Sequence, residues 1–154
     1  LLYIGGVELG DGLQIKSKVT ETARTVTDLA SRYAGIDTAT MSAILDAASA
    51  IVAPYASSNM VVTVSEVSTD AKGQATITWS CSLNGTAHAV GAPATLPSGF
   101  NDPPSVSLIW GEVTYPYSPQ LGYVITGTVS MYQSMYFYPR LVNSVSGPSA
   151  CPAS

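Results

Sequence analysis

The sequence predicts an α+β fold in which a long N-terminal helix and a second helix pack on a four-stranded antiparallel sheet. Three observations predict it. Through the first third of the chain apolar side chains recur every three or four residues, the period of a helix face. After Ser57-Ser58-Asn59 the period drops to two, that of a strand. Segments rich in Gly, Pro and Asn then separate the strand-like runs, where reversals belong. With 154 residues, no internal repeat and no shift in composition, the chain has room for one core.

The first helix is read from Ile15, Val19, Ala23, Val26, Ala30 and Tyr33 on one face, with Lys16, Lys18, Glu21, Arg24, Asp28 and Arg32 opposite. Glu21 with Arg24, and Asp28 with Arg32, have the spacing of surface pairs, and Gly35 is the expected stop. Asp37 or Thr38 is the expected N-cap of a second helix. It carries Met41, Ile44, Leu45, Ala48, Ile51 and Val52 on one side and ends before Pro54.

Strand character begins at Met60, and Asp70-Ala71-Lys72-Gly73 supplies a turn. The run 74–82 then alternates strictly, with Ala75, Ile77, Trp79 and Cys81 on one face and Thr76, Thr78, Ser80 and Ser82 on the other. Segment 83–104 is longer than a compact domain tolerates without structure, so it is expected to be a functional loop or a mobile excursion. A third strand is expected over 106–115, stopped by Pro116 and Pro119. The fourth should run from Tyr123 to about Tyr138 with a bulge near Gly127. Ile125, Val129, Met131, Met135 and Phe137 share one of its sides, and Thr126, Thr128, Ser130, Tyr132 and Tyr136 the other. Hairpin-like connections in chain order are expected to join the four. The tail from Ser144 is expected to be mobile unless Cys151 ties it down.

Charge and motifs exclude more than they assign. Only 10% of residues are charged against 46% apolar, and six basic with ten acidic residues give a net charge of −4 with no basic run. Nucleic acid is therefore not an expected partner. Ser and Thr keep the surface wet instead, a balance more usual outside the cytoplasm, and Cys81 with Cys151 is compatible with one long-range disulfide in an oxidising compartment. Residues 1–9, Leu1-Leu2-Tyr3-Ile4-Gly5-Gly6-Val7-Glu8-Leu9, are too few to cross a bilayer and lack the features of a signal peptide. Either an apolar segment lies upstream, or this first turn packs on the core.

The single histidine, His88, cannot build a multi-histidine metal site, and it reads as a surface loop residue. Pairings with Ser82, Cys81 or Asp102 lack any surrounding nucleophile motif. Glu66, Asp70 and Glu112 read as solvated acids near turns and strand ends, and Asn84-Gly85-Thr86 as a chance glycosylation sequon. No phosphate-cradling glycine motif is present, so no cofactor and no catalytic residue are assigned. The tyrosines of the last third are more informative. Alternation puts some of Tyr115, Tyr117, Tyr132, Tyr136 and Tyr138 on the sheet face away from the helices, where they would serve as a partner face.

The ordered set of features resembles a known family. Gly6-Val7-Glu8 closes an apolar helix end, and an amphipathic helix follows. Next come Val62-Thr63-Val64-Ser65-Glu66-Val67 and then Asp70-Ala71-Lys72-Gly73-Gln74-Ala75-Thr76-Ile77-Thr78-Trp79-Ser80. Later stand Glu112-Val113-Thr114-Tyr115-Pro116-Tyr117-Ser118-Pro119 and the closing Tyr136-Phe137-Tyr138-Pro139-Arg140. Over residues 1–141 this is similar to the TadE/TadG-like pilin-like proteins of bacterial tight-adherence pili. The resemblance implies a non-enzymatic minor pilin or pseudopilin that helps to assemble or cap a pilus. Its N-terminal helix would be membrane-anchored upstream of or including residues 1–9, with the head on the extracytoplasmic side.

In that plan residues 1–35 form the assembly helix, 36–143 the head and 144–154 a tail. Val7, Glu8, Ile15, Val19 and Val26 would meet other pilin subunits or further copies of the chain, with Glu8 at the membrane edge. The alternative is an extracellular adhesion module that contacts a surface or ligand through segment 83–104 and the sheet tyrosines.

Overall fold

A computed structural model of the chain describes residues 2–100, 105–119, 122 and 126–153. The α+β expectation holds: helix α1 (Leu2–Ser31) and helix α2 (Thr38–Val52) precede strands β1 (Val61–Thr69), β2 (Ala75–Leu83), β3 (Ser107–Tyr117) and β4 (Val129–Phe137). All strand pairs are antiparallel, but the order across the sheet is β2-β1-β3-β4, so the connection from β2 to β3 is a crossover and not a hairpin.

Helix α1 is amphipathic as its spacing requires. Ile15, Val19, Ala23, Val26 and Ala30 are fully buried against the sheet and α2. Thr22 and Thr27 are buried beside them, and each hydroxyl donates to the carbonyl four residues back (2.8 Å to Lys18 O, 2.6 Å to Ala23 O), which removes the cost of burying it. The helix crosses β3 at Gly111, where a Cβ would stand 1.9 Å from Thr27 Oγ1; only glycine admits that approach. The helix ends four residues before the expected stop. Gly35 instead makes a parallel bridge to Ser146, where a Cβ would meet Ser146 Oγ at 2.5 Å, and Tyr33 is largely exposed. Of the two expected surface pairs only Asp28–Arg32 forms (2.7 Å), and Arg140 shares the same carboxylate. Asp37 caps α2 by accepting from Thr40 N–H at 2.7 Å, and that bond holds its carboxyl below the usual range.

The turn after β1 is built as read: Asp70 Oδ1 accepts from the Lys72 and Gln74 amides, and Gly73 takes φ 77°. The alternation of β2 is not. A register shift between Glu66 and Val67 pairs Glu66 with Trp79 but Val67 with Ile77, which leaves Thr78 as an extra residue. Trp79 and Cys81 consequently face the helices, whereas Ala75 and Ile77 face the other side. Ser80 and Ser82, expected on the face opposite Trp79 and Cys81, lie there but are buried and bonded to Ser65 and Thr63 at 2.8 and 2.9 Å.

The crossover explains this double burial. Segment 84–100 folds back over the outer face and seals part of the β2 edge through Ile77 N to Ala92 O, Gly91 N to Ile77 O and Ala94 N to Ala75 O. Leu96, Ala92, Ala94 and Phe100 then form a second, smaller core with Val67, Ala75, Ile77 and Leu108. Segment 84–100 is thus packed on the sheet and is no excursion; 101–104 lie outside the described residues. β3 continues through Pro116, which sits beyond the last β1 partner (Val61 opposite Thr114), an edge position that tolerates proline. β4 begins at Val129, after Gly127 at φ 92°; Tyr123 and Ile125 lie outside the described residues.

The C-terminal tail is tied down. Cys151 is disulfide-bonded to Cys81. Ser146 exchanges backbone bonds with Ala34 and Ile36, Trp79 Nε1 donates to Val145 O at 2.7 Å, and the Trp79 ring lies where a Gly147 Cβ would go.

Candidate functional site

Two surfaces carry the residues expected to matter. The first is α1. Of its expected assembly residues, Ile15, Val19 and Val26 are committed to the chain's own core, and Glu8 is buried as well. Val7 is 39% exposed, and the same part of the helix exposes Leu2 (95%), Tyr3 (84%), Leu9 (59%) and Leu13 (61%). One face of the helix is thus a core element, while before Ile15 most of its apolar side chains meet solvent.

The second surface is the aromatic end of the sheet, and here the expected partner face is divided. Tyr115 and Tyr117 point under α1 and are buried, Tyr117 lying beneath Gly12. Burial raises both phenol pKa values, assisted at Tyr117 by the charge of Asp11. Tyr132 and Tyr136 occupy the opposite face, and Tyr138 lies beyond the strand, about half exposed, with its ring 6.0 Å from Phe100. Parity along β3 and β4 causes the division: Tyr115 and Tyr117 share a face with Ile109, Gly111 and Val113, whereas Tyr132 and Tyr136 share one with Trp110 and Glu112.

On that outer face the crossover assembles a cluster not foreseen from the sequence. Trp110 is sandwiched between Tyr136 (centroids 5.6 Å apart, planes at 7°) and His88 (4.9 Å, 10°). His88 Nε2 is bonded to Glu112 Oε2, and Tyr132 donates to Glu112 Oε1 at 2.7 Å. His88 does lie in a loop with its side chain partly exposed, but it is held by stacking and a hydrogen bond, and Glu112 is no solvated strand-end acid. It stands mid-strand as the shared acceptor of an imidazole and a phenol. Burial, then the hydrogen bond to Glu112 and its charge, pushes the Tyr132 phenol well above its ordinary value; burial and the same charge push Tyr136 up to about 12. The sequence signal that could have found this cluster is the even parity of Leu108, Trp110 and Glu112. It has no reader until the crossover brings His88 onto the face.

The cluster is built to hold. Both carboxylate oxygens of Glu112 are engaged, His88 N–H is fixed by Ser80 Oγ at 3.0 Å, and Cys81 faces the other side of the sheet in a disulfide. Ser82 is bonded to Thr63 and to Val62 O. Neither Cys81 nor Ser82 is thus paired with the imidazole, and Asp102 lies outside the described residues. Nor do the described residues contain a group of three or more His, Cys, Asp or Glu that could hold a metal. The sequon amide, Asn84 Nδ2, donates to Ser57 O and Met60 O.

Glu66 is the other acid that departs from its reading. It is fully buried on the helix side, where Oε1 accepts from Ser144 Oγ and Val145 N, both at 2.8 Å, and desolvation raises its pKa. Its role is structural: it fastens the tail beneath the sheet. No helix among the described residues is long and apolar enough to cross a membrane. Comparison with protein-family models, with curated proteins and with solved structures finds no match to this chain.

Proposed function

We propose that this chain is a non-enzymatic, pilin-like structural subunit that takes part in assembling or capping a bacterial tight-adherence pilus. One observation carries the reading. Helix α1 packs one face on its own domain from Glu8 to Ser31, yet the other side of its first turns presents Leu2, Tyr3, Val7, Leu9 and Leu13 to solvent. An exposed apolar stretch on a rigid rod is a joining element, because water leaves it only when another apolar surface arrives. The Cys81–Cys151 disulfide supports a head on the extracytoplasmic side, where such bonds persist. In this reading the N-terminal helix, upstream of or including residues 1–9, anchors the subunit in the inner membrane before assembly, and the partners are other pilin or pseudopilin subunits.

The adhesion alternative draws less support, since Ala92, Leu96 and Phe100 of segment 84–100 are turned inward onto the sheet. The test is Leu9→Asp with Leu13→Asp in the native host. Both positions are exposed, so the head should fold and form its disulfide as the parent does, while recovery in the sheared filament fraction or the pilus assembly complex falls at least about tenfold. Unchanged recovery, or a chain found reduced in the cytoplasm, refutes the proposal.

A further inference from the structure

Among the described residues, β4 is an edge strand without the usual protections. Sheets guard their edges with charge, proline, bulges or a covering segment. The β2 edge has a cover in residues 91–94. The nine residues of β4, Val-Ser-Met-Tyr-Gln-Ser-Met-Tyr-Phe, contain no charge and no proline, and they pair with β3 without a register shift. Among the described residues, no backbone group bonds to the other side of the strand.

The strand is also complementary to itself. Ser130-Met131-Tyr132 and Ser134-Met135-Tyr136 repeat around Gln133. Reversing one copy about Gln133 sets Met131 opposite Met135, Tyr132 opposite Ser134, Ser130 opposite Tyr136 and Val129 opposite Phe137. Parity is kept, so helix-side residues meet helix-side residues and outer-face residues meet outer-face residues.

Charge favours the same arrangement. Beside Phe137 lie Arg24, Arg32 and Arg140 around the single acid Asp28, a net positive end. Val129 is paired with Tyr117, over which α1 passes at Gly12, next to Asp11. Antiparallel pairing lays the arginine end of each copy against the Asp11 end of the other, whereas register-matched parallel pairing would set arginines on arginines.

We infer that β4 pairs antiparallel with β4 of a second copy of this chain, on a two-fold axis at Gln133, to make one continuous sheet. Nine residues span about 30 Å and a sheet is about 10 Å thick, so the strands alone bury on the order of 600 Å². That is half or less of a standard stable interface of about 1,200–2,000 Å², so the dimer is weak and grows with concentration.

Sedimentation velocity on the full chain, from about 10 μM to about 1 mM, tests it together with three variants. The parent should shift towards dimer with concentration. Gln133→Lys, which sets two ammonium groups on the axis, should raise the dissociation constant roughly tenfold or more, and exposed Ser130→Lys should act in the same direction if the first variant folds poorly. Gln133→Cys should oxidise to a covalent dimer, because facing residues of paired strands lie within disulfide reach. Thr78→Cys on the far edge strand should not. A parent that stays monomeric to 1 mM, a dimer indifferent to both lysines, or equal crosslinking at positions 78 and 133 overturns the inference.

Discussion

Removing the disulfide by Cys151→Ser isolates the cross-link from the packing around it. Cys81 is buried, and as a free thiol it fills the same volume, while Cys151 is exposed and its hydroxyl substitute has water at hand. The bridge closes a loop with a sequence separation of 70. In the chain-entropy treatment a loop of that length restricts the unfolded state by about 4 kcal/mol at 25 °C. With a urea dependence of about 2 kcal/mol per molar for a domain of this size, the midpoint should fall by roughly 2 M. The loss should be global, because the rest of the tail has its own bonds to Ile36, Trp79 and Glu66. Hydrogen exchange at Val145 should therefore stay slow in native buffer, while the last residues fray. A loss below about 1 kcal/mol in urea, with the fold intact, would show that the tail rather than the bridge restricts the chain and would refute the reasoning.

Two further outcomes follow from single contacts. Gly111→Ala puts a methyl 1.9 Å from Thr27 Oγ1 and 3.3 Å from Ala23 O, so it should cost about 2–3 kcal/mol in urea unfolding, with Thr27→Ala in the same chain restoring part of it through a measurable coupling. At Glu66 burial sets the folded pKa above the unfolded one, so the native state keeps the proton longer. Parent stability then declines as pH rises from the ordinary carboxylate range through the folded pKa, and the burden of a buried charge is complete above it. Glu66→Gln keeps an acceptor for Ser144 and Val145 without that burden, so the variant should gain on the parent between pH 4 and pH 8. Glu66→Ala, which orphans both donors, should lose about 1–3 kcal/mol across the range. A Glu66→Gln advantage that shrinks as pH rises would contradict the assignment.

The helices were legible because each buries one face. Ile15 to Ala30 and Met41 to Val52 then carry the period of that face, and Asp37 carries the cap. The sheet was legible in its strands but not in its sidedness. Alternation identifies a core face only when the opposite face meets water, and here the crossover covers the opposite face too, so Ala75 and Ile77 are as buried as Trp79 and Cys81 while lying across the sheet from them. The bulge after Glu66 has no composition signature. The same blindness divided the tyrosines and hid the His88–Glu112–Tyr132 cluster, whose members meet only because β3 lies beside β1 and the crossover must pass over the outer face. A pairing in chain order would have left His88 in solvent.

Double coverage also bears on where this molecule can join others. A sheet covered on one side by α1 and partly on the other by residues 84–100 leaves little flat apolar surface to offer, and its low charge is matched by hydroxyl pairs such as Ser65–Ser80 that satisfy one another inside the sheet. Among the described residues, the outward side chains of the first turns of α1 and the side of β4 away from β3 stand open to association. These lie on the same flank, since α1 passes Tyr117 at Gly12 and reaches Asp28 beside Arg140 as it runs the length of β3 and β4. A subunit that joins neighbours through both would be held along its helix and along its sheet at once. Each contact raises the effective concentration for the other, and two weak contacts suffice for a lasting assembly.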